Sequence, residues 1–216
     1  MASNRANKLR AKIQRNLGDP AGIGVAQEGI VYDALNTVMD RICEEANAYE
    51  VTGTITLVAN TELYNFPDGF IAETGTPYGS DTTPIQKLKN MNEVFTLKRT
   101  GSSSSSSTTV PNYYYVLGQQ IGFLSPSGSA PTAAGTITFS YFRKRLATGT
   151  EDIGESVVPI INSRWDLALE LGACAEITHE PKWIALFDKE MDRRMSLENS
   201  AQGKMYDIPV VNEDFS

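Results

Sequence analysis

The strongest constraint on this chain is that its hydrophobic period changes twice. From about Asn4 to Ala48 apolar residues recur at helical spacing, and that spacing returns from about Pro159 to Ala201. Between these segments, apolar and polar side chains alternate and are punctuated by Gly/Pro turns and a serine tract. A 3.6-residue period suits a helix with one buried stripe, and a period of two suits a half-buried strand. The chain therefore reads as α+β: an antiparallel helical bundle interrupted by a small antiparallel β-sheet or sandwich, with an extended C-terminal arm. The expected parts are a discontinuous helical domain, 3–49 with 157–202, a β insertion at 50–150, and the arm at 203–216.

Leu9, Ile13 and Leu17 recur every fourth residue and mark a short amphipathic helix ended by Gly18-Asp19-Pro20. A second helix is expected from about Gln27 to Ala48, with Val31, Leu35, Val38 and Ile42 on one stripe. Ile55 and Leu57 then alternate with threonines as a strand, and Leu63–Phe66 reads as pairing back after a turn at Asn60-Thr61. Thr74–Pro84 reads as loop. Ile85–Leu97 is ambiguous, and Val94, Phe95 and Leu97 suggest that its end is a strand.

Tyr113–Leu117 and Gln120–Leu124 flank Gly118-Gln119, and glycine in the first central position suits a type II′ hairpin. Thr136–Tyr141 alternates cleanly, with Ile137, Phe139 and Tyr141 on one face. Thr148–Ser156 reads as an acidic linker before the helical period returns at Pro159. The small residues of Leu171-Gly172-Ala173-Cys174-Ala175 would let another helix approach closely, and Pro181 suits the first turn of the last helix. Gly203 is expected to end that helix, leaving Tyr206, Ile208, Val210 and Phe215 spaced along a docking arm.

A net charge of −7 argues against a broad nucleic-acid-binding face. Before Asp19, however, the chain holds Arg5, Lys8, Arg10, Lys12 and Arg15 and no acidic residue. A solvated helix face is the preferred reading, with phosphate or acidic-partner contacts through Arg5, Lys8 and Lys12 as the other. The apolar runs are too short to span a bilayer. Met1–Leu17 lacks the apolar core of a secretory signal, so assembly in a cytoplasm is expected.

No stretch carries a recognisable catalytic, cofactor or metal site. Cys43 and Cys174 are isolated thiols and read as small core residues. Gly22-Ile23-Gly24 follows a helix rather than a strand and has Gln27 where a dinucleotide fingerprint needs glycine. His179, the one histidine, lacks the second histidine of a zinc-hydrolase motif and reads as a cap or surface residue. The carboxylate pairs, Glu44-Glu45 and Glu151-Asp152, are adjacent residues and not groups held across a cleft. The Asp188–Arg194 series reads as a mixed-charge solvent or subunit face in which Asp188, Arg193 and Arg194 are candidate interface residues. Tyr113-Tyr114-Tyr115 lacks interleaved basic residues and reads as sheet core plus interface, not as a base-stacking platform.

The order of segments resembles one known family. Asn16-Leu17-Gly18-Asp19, the helix around Asp33–Val38, Gly53–Leu57 and Tyr64-x-Phe66-Pro67-x-x-Phe70 come first. Pro111–Tyr115, Gly135–Tyr141, the helix around Trp165–Leu169 and a charged last helix follow. Together, over about residues 4 to 200, they resemble the head-to-tail adaptor (connector) proteins of tailed bacteriophages, especially short-tailed ones. The resemblance implies a structural virion protein of the neck, assembled in the host cytoplasm: twelve identical subunits ringed beneath the portal, with DNA passing through without sequence-specific binding. It implies that the β part meets the tail nozzle or tail tube ring protein and that the arm at Met205–Ser216 reaches the portal. The long loops Thr74–Pro84 and Thr100–Pro111 depart from compact members of that family. A tail-associated cell-wall hydrolase or glycan-binding accessory protein, using Glu151 or Asp152, is the alternative from another class, and a tail terminator or stopper ring is a third reading.

Overall fold

The computed structural model describes residues 5–79, 82–100, 111–146, 148–155 and 157–206, with side chains described as far as Glu198. In chain order the elements are α1 (Arg5–Asn16), α2 (Glu28–Ala46), β1 (Glu50–Leu57), β2 (Leu63–Asn65), β3 (Phe70–Glu73), β4 (Tyr78–Gly79), β5 (Gln86–Lys87), α3 (Met91–Thr100), β6 (Tyr113–Leu117), β7 (Gln120–Leu124), β8 (Gly135–Arg143), α4 (Asp166–Thr178) and α5 (Pro181–Tyr206). They divide into two compact units: Met1–Ala48 with Thr148–Ser216, and Tyr49–Ala147.

In the helical unit α4 is the centre and packs against α1, α2 and α5. Its buried face is made largely of small residues: Ala168, Gly172, Ala173, Cys174 and Ala175. A Cβ on Gly172 would lie 2.5 Å from Val38 Cγ1 and 3.0 Å from the Phe187 ring, so α2 and α5 approach α4 because that side chain is missing. The stripe Val31, Leu35, Val38 and Ile42 of α2 is buried, as are Leu9 and Ile13 of α1. Asn47 stops α2 in the left-handed conformation, at φ 49°.

Helix α4 begins later than the return of the apolar period suggests. Residues 157–162 are not helical. The Asn162 side chain accepts the Arg164 N–H at 3.0 Å, capping a 3-10 turn at Ser163–Trp165 that leads into α4. At its other end His179 takes φ 54° and donates its N–H to the Ala175 carbonyl at 2.8 Å, after which Pro181 opens α5. Gly203 does not end α5, so Lys204, Met205 and Tyr206 are helical and not extended. One glycine costs a helix interior only about 1 kcal/mol relative to alanine, too little to force a stop. The rest of the expected arm, with Ile208, Val210 and Phe215, lies outside the described residues, as does the serine tract at 102–107.

The β unit is a sandwich of two four-stranded sheets. In one, β8 pairs with β1 on one side and with β3 and β4 on the other; the second has the order β2-β7-β6-β5. β1 and β8 run antiparallel in unbroken register from Glu50↔Phe142 to Leu57↔Gly135. Ile137, Phe139 and Tyr141 of β8 and Ile55 and Leu57 of β1 form one inner face; Tyr114, Ile121 and Phe123 of the second sheet join the same cluster. Gly118 carries φ +58°, the sign a type II′ turn requires of its first central residue.

The sheets are antiparallel as expected apart from the two-residue pairing of β5 with β6, which is parallel. Two sequence expectations fail here. Leu63–Asn65 does not pair back on β1; it joins β7, so the chain changes sheet at the turn where Asn60 takes φ 60°. Finally, the end of Ile85–Leu97 is helix α3. Its start is capped: Asn90 Oδ1 accepts the Glu93 N–H at 3.0 Å, and the Glu93 carboxylate reaches back to accept the Lys89 N–H at 2.8 Å. Within the loop-like 74–84 stretch, Tyr78–Gly79 adds a short strand to β8.

The tyrosine run divides between the two faces of β6. Tyr114 points into the sandwich, while Tyr113 and Tyr115 lie under α3 with Val94 and Leu124. The Tyr115 hydroxyl donates to the Glu62 carboxylate, which also accepts Lys98 Nζ at 2.6 Å and so ties α3 to the sheet. Burial, reinforced by Glu62, pushes the Tyr115 hydroxyl well above its ordinary value.

Candidate assembly surfaces

The basic first helix is partly committed to its own unit. Arg5 Nε and Nη2 donate to Asp166 Oδ1 at 2.8 and 2.5 Å, and Nη1 donates to the Pro159 and Ile161 carbonyls at 3.2 and 2.6 Å. Four bonds from one guanidinium hold the extended approach to α4, which explains why that stretch is not helical. Arg10 pairs with Glu28, and Lys12 with Glu170 at 3.3 Å. Lys8, Lys12 and Arg15 remain solvent-exposed.

The connector between α1 and α2 is more ordered than its glycines suggest. Asp19 accepts the N–H groups of Ile23 at 3.1 Å, Gly24 at 2.8 Å and Ala26 at 3.0 Å. Gln14 Nε2 donates to the Ala26 carbonyl at 3.0 Å. These backbone bonds, that from Ala26 foremost, hold the Asp19 carboxyl below its ordinary value. The loop is thereby fixed with Ile23 78% and Val25 58% exposed, and Ile30 follows on α2, also exposed. The sequence did not single out this apolar tip; its signal was Ile and Val in a Gly-rich turn beside an aspartate.

On α5, Asp188 is exposed and lies 3.5 Å from Arg41, which also pairs with Glu45 at 2.6 Å. Arg193 and Arg194 converge on Glu190: Arg193 donates twice, at 2.7 and 2.6 Å, and Arg194 once, at 2.7 Å. Glu190 is only 6% exposed, and the Arg193 bonds, helped by Arg194, hold its carboxyl below the ordinary value against its burial. The mixed-charge series is therefore a buried acid gripped by two arginines, with Asp188 on a separate exposed face.

A cleft of 180 Å³ opens between α2, α4 and α5, floored by Val38, Gly172, Ala175 and Phe187 and rimmed by Arg41 and Glu176. The Arg41 guanidinium stacks 4.8 Å from the Phe187 ring centroid. His179 also lines it, placed there by its capping conformation. In the β unit, β1 is an edge strand of eight residues with Thr52, Thr54 and Thr56 on its exposed face. Such an edge presents unpaired backbone groups to which another strand can add. Phe95 of α3 is 60% exposed.

Cys43 and Cys174 are buried and unoxidised, and burial pushes the Cys174 thiol up to about 11. Glu151 and Asp152 are neighbours in a turn closed by the Asp152 N–H on the Gly149 carbonyl. Among the described residues no cluster of His, Cys, Asp or Glu could hold a metal ion, and no helix is long and apolar enough to cross a membrane.

The features on both units are surfaces, and similarity decides what kind of protein presents them. The model of the SU10 adaptor protein family matches residues 5–208. The chain belongs to that family. The match spans both units and agrees with the likeness to phage head-to-tail adaptors drawn from the order of segments. Family membership makes the chain a structural adaptor of a bacteriophage virion. No curated protein matches it.

Proposed function

We propose that this adaptor forms a ring, of twelve subunits as the resemblance implies, at the virion neck, joining the portal to the tail and lining the channel through which DNA passes. The observation that carries this reading is the family match over residues 5–208, which takes in the helical unit and the β insert together. In this reading the helical unit supplies subunit-to-subunit contacts, including Asp188 and the exposed part of Arg193 beside Arg194. The β unit, with its β1 edge, meets the nozzle or tube ring of the tail. Lys8 and Lys12 are placed to touch phosphate or an acidic neighbour, with Arg5 holding their helix in position. A chain of net charge −7 lets DNA slide, since firm phosphate binding needs accumulated Lys and Arg.

The segment 207–216, following Tyr206 and containing Ile208, Val210 and Phe215, reaches the portal. Deleting 207–216 leaves α5 whole and is expected to abolish portal binding without changing the circular dichroism spectrum. Undiminished portal binding by the truncated chain would remove the arm from this scheme. Cryo-electron microscopy of the neck tests ring number, partners and position together.

A further inference from the structure

We propose that an extended segment of the tail ring protein adds to the free edge of β1 as a further strand of that sheet. This rests on the reading that the β unit meets the tail, and it names the contact through which it does so.

The register of the sheet fixes which backbone groups are free. The Arg143 N–H donates to the Tyr49 carbonyl at 3.0 Å, one position before the ladder that begins at Glu50↔Phe142. Bonded pairs alternate along an antiparallel ladder, so Val51, Gly53, Ile55 and Leu57 turn their N–H and C=O groups to β8. Thr52, Thr54 and Thr56 turn theirs the other way, where they have no partner among the described residues. The open stretch stops where β1 does, because the Tyr64 hydroxyl accepts the Val58 N–H at 2.8 Å.

The other edges of the sandwich are short or irregular. β2 has three residues, β4 and β5 two each, and β3 four with a register shift between Phe70 and Ala72. β1 has eight, in unbroken register. Short length, lysine, proline and bulges are devices that keep an edge from pairing, and β1 uses none of them.

The faces beside the edge describe the segment that fits. On the outer face hydroxyls pair across the strands: Thr52 with Ser140, Thr54 with Thr138 and Thr56 with Thr136. The Thr52 and Ser140 hydroxyls lie 3.3 Å apart. On the inner face Gly53 has no side chain, and a Cβ there would stand 2.8 Å from the Tyr141 ring. An added strand thus has hydroxyls beside one face and an aromatic ring beside the other. The matching sequence is uncharged and alternates threonine- or serine-like residues with apolar ones. In such a contact backbone bonds supply affinity and alternate side chains supply selectivity.

A second copy is not the occupant. Its other edges reach at most four residues. Pairing β1 with β1 uses the same patch twice and is a two-fold contact, whereas a ring is closed by unlike patches. The edge is about 27 Å long and about 10 Å across, roughly 270 Å² per side, against roughly 800 Å² per partner in a stable association. A contact this small holds when its segment belongs to a body anchored by further contacts, which raise its effective concentration. A docked neighbouring ring meets that condition.

The test uses Thr54→Pro in the full-length chain, with Thr54→Val as control. Proline removes an outward N–H and leaves the bonds to β8 in place, while valine keeps the backbone unchanged. Circular dichroism and thermal melting check the fold. If Thr54→Pro does not fold, the double variant Thr52→Lys with Thr56→Lys takes its place by setting lysines beside the same edge. Tail attachment is counted by electron microscopy of particles assembled with each variant. It is expected to fall at least tenfold for Thr54→Pro and to stay within twofold for Thr54→Val. Hydrogen exchange read by mass spectrometry is expected to be at least tenfold slower at 50–57 in necks from tailed particles than in the purified chain. Normal tailing by the proline variant, or unchanged exchange, overturns the added strand. Equal losses from proline and valine overturn it too, since the side chain and not the edge then matters. A second copy's strand seen on β1 in the neck overturns the choice of partner. The ring reading is judged apart, by whether Thr54→Pro particles without tails still carry a ring on the portal.

Discussion

The helical unit joins residues as far apart as Arg5 and Asp166, whereas the β unit is one continuous stretch, 49–147. That difference in connectivity is matched by a difference in what holds each together. The sandwich relies on large apolar side chains from two sheets, with Phe123 and Phe139 fully buried. The helical unit buries large side chains too, Trp165 and Phe187 among them, and adds closeness at a small-residue crossing and polar pins that secure its irregular connections. A unit assembled from two distant segments must specify their meeting, and directional hydrogen bonds do so where apolar area alone would allow sliding.

The comparison can be broken where the expected effects are largest. Phe123→Ala should destabilise the sandwich by about 3–5 kcal/mol, read by urea unfolding, because a fully buried ring leaves a cavity. A loss below about 1 kcal/mol would mean that the two sheets collapse readily onto one another and that the core is not what holds them. In the helical unit the opposite change should hurt. Gly172→Ala adds a methyl where Val38 and Phe187 already stand, and should cost about 1–3 kcal/mol. A stabilised variant would show that α2 and α5 have room to move apart.

Asn36 tests the polar pins. Buried on α2, it accepts the Ile153 N–H at 2.7 Å and brings the returning chain onto the helix. Asn36→Ala leaves that N–H without its partner and should cost about 1–3 kcal/mol by the same measurement.

Acid sharpens the contrast further. The Glu190 carboxyl titrates below its unfolded value, so its contribution to stability is present above the ordinary carboxylate range and is lost as pH falls through the lowered one. The unfolding midpoint should drop across that window, and Glu190→Gln should flatten this part of the profile. The smallest effect is local. Asp19→Ala should leave the melting temperature nearly unchanged but accelerate amide exchange at Gly24 and Ala26, the donors it releases. Unaltered exchange would show that Gln14 and the turn itself hold the loop.

Much of the fold is legible in the sequence where the signal is local. The α2 stripe, the Gly118-Gln119 hairpin and the alternation of β8 all follow from neighbours within one segment. At α3 the local signals conflict: Val94 and Phe95 favour a strand, while Asn90 and Glu93 cap a helix. The candidate surfaces were less legible. Arg193 and Arg194 look like an exposed charge series until Glu190 is seen to be buried beneath them. Ile23 looks like part of a slack turn until Asp19 is seen to hold it out.

Period, turn residues and charge distribution belong to single stretches of chain, so the sequence sufficed for two helical segments around a β insert and for an acidic protein with a basic first helix. Tertiary structure alone decided that β2 joins β7, that β5 runs parallel to β6, that α4 waits for Arg5 and Asn162, and which apolar residues stay outside. These depend on which distant groups meet. Burial and hydrogen-bond partnership are properties of pairs of segments, and no single segment's pattern contains its partner.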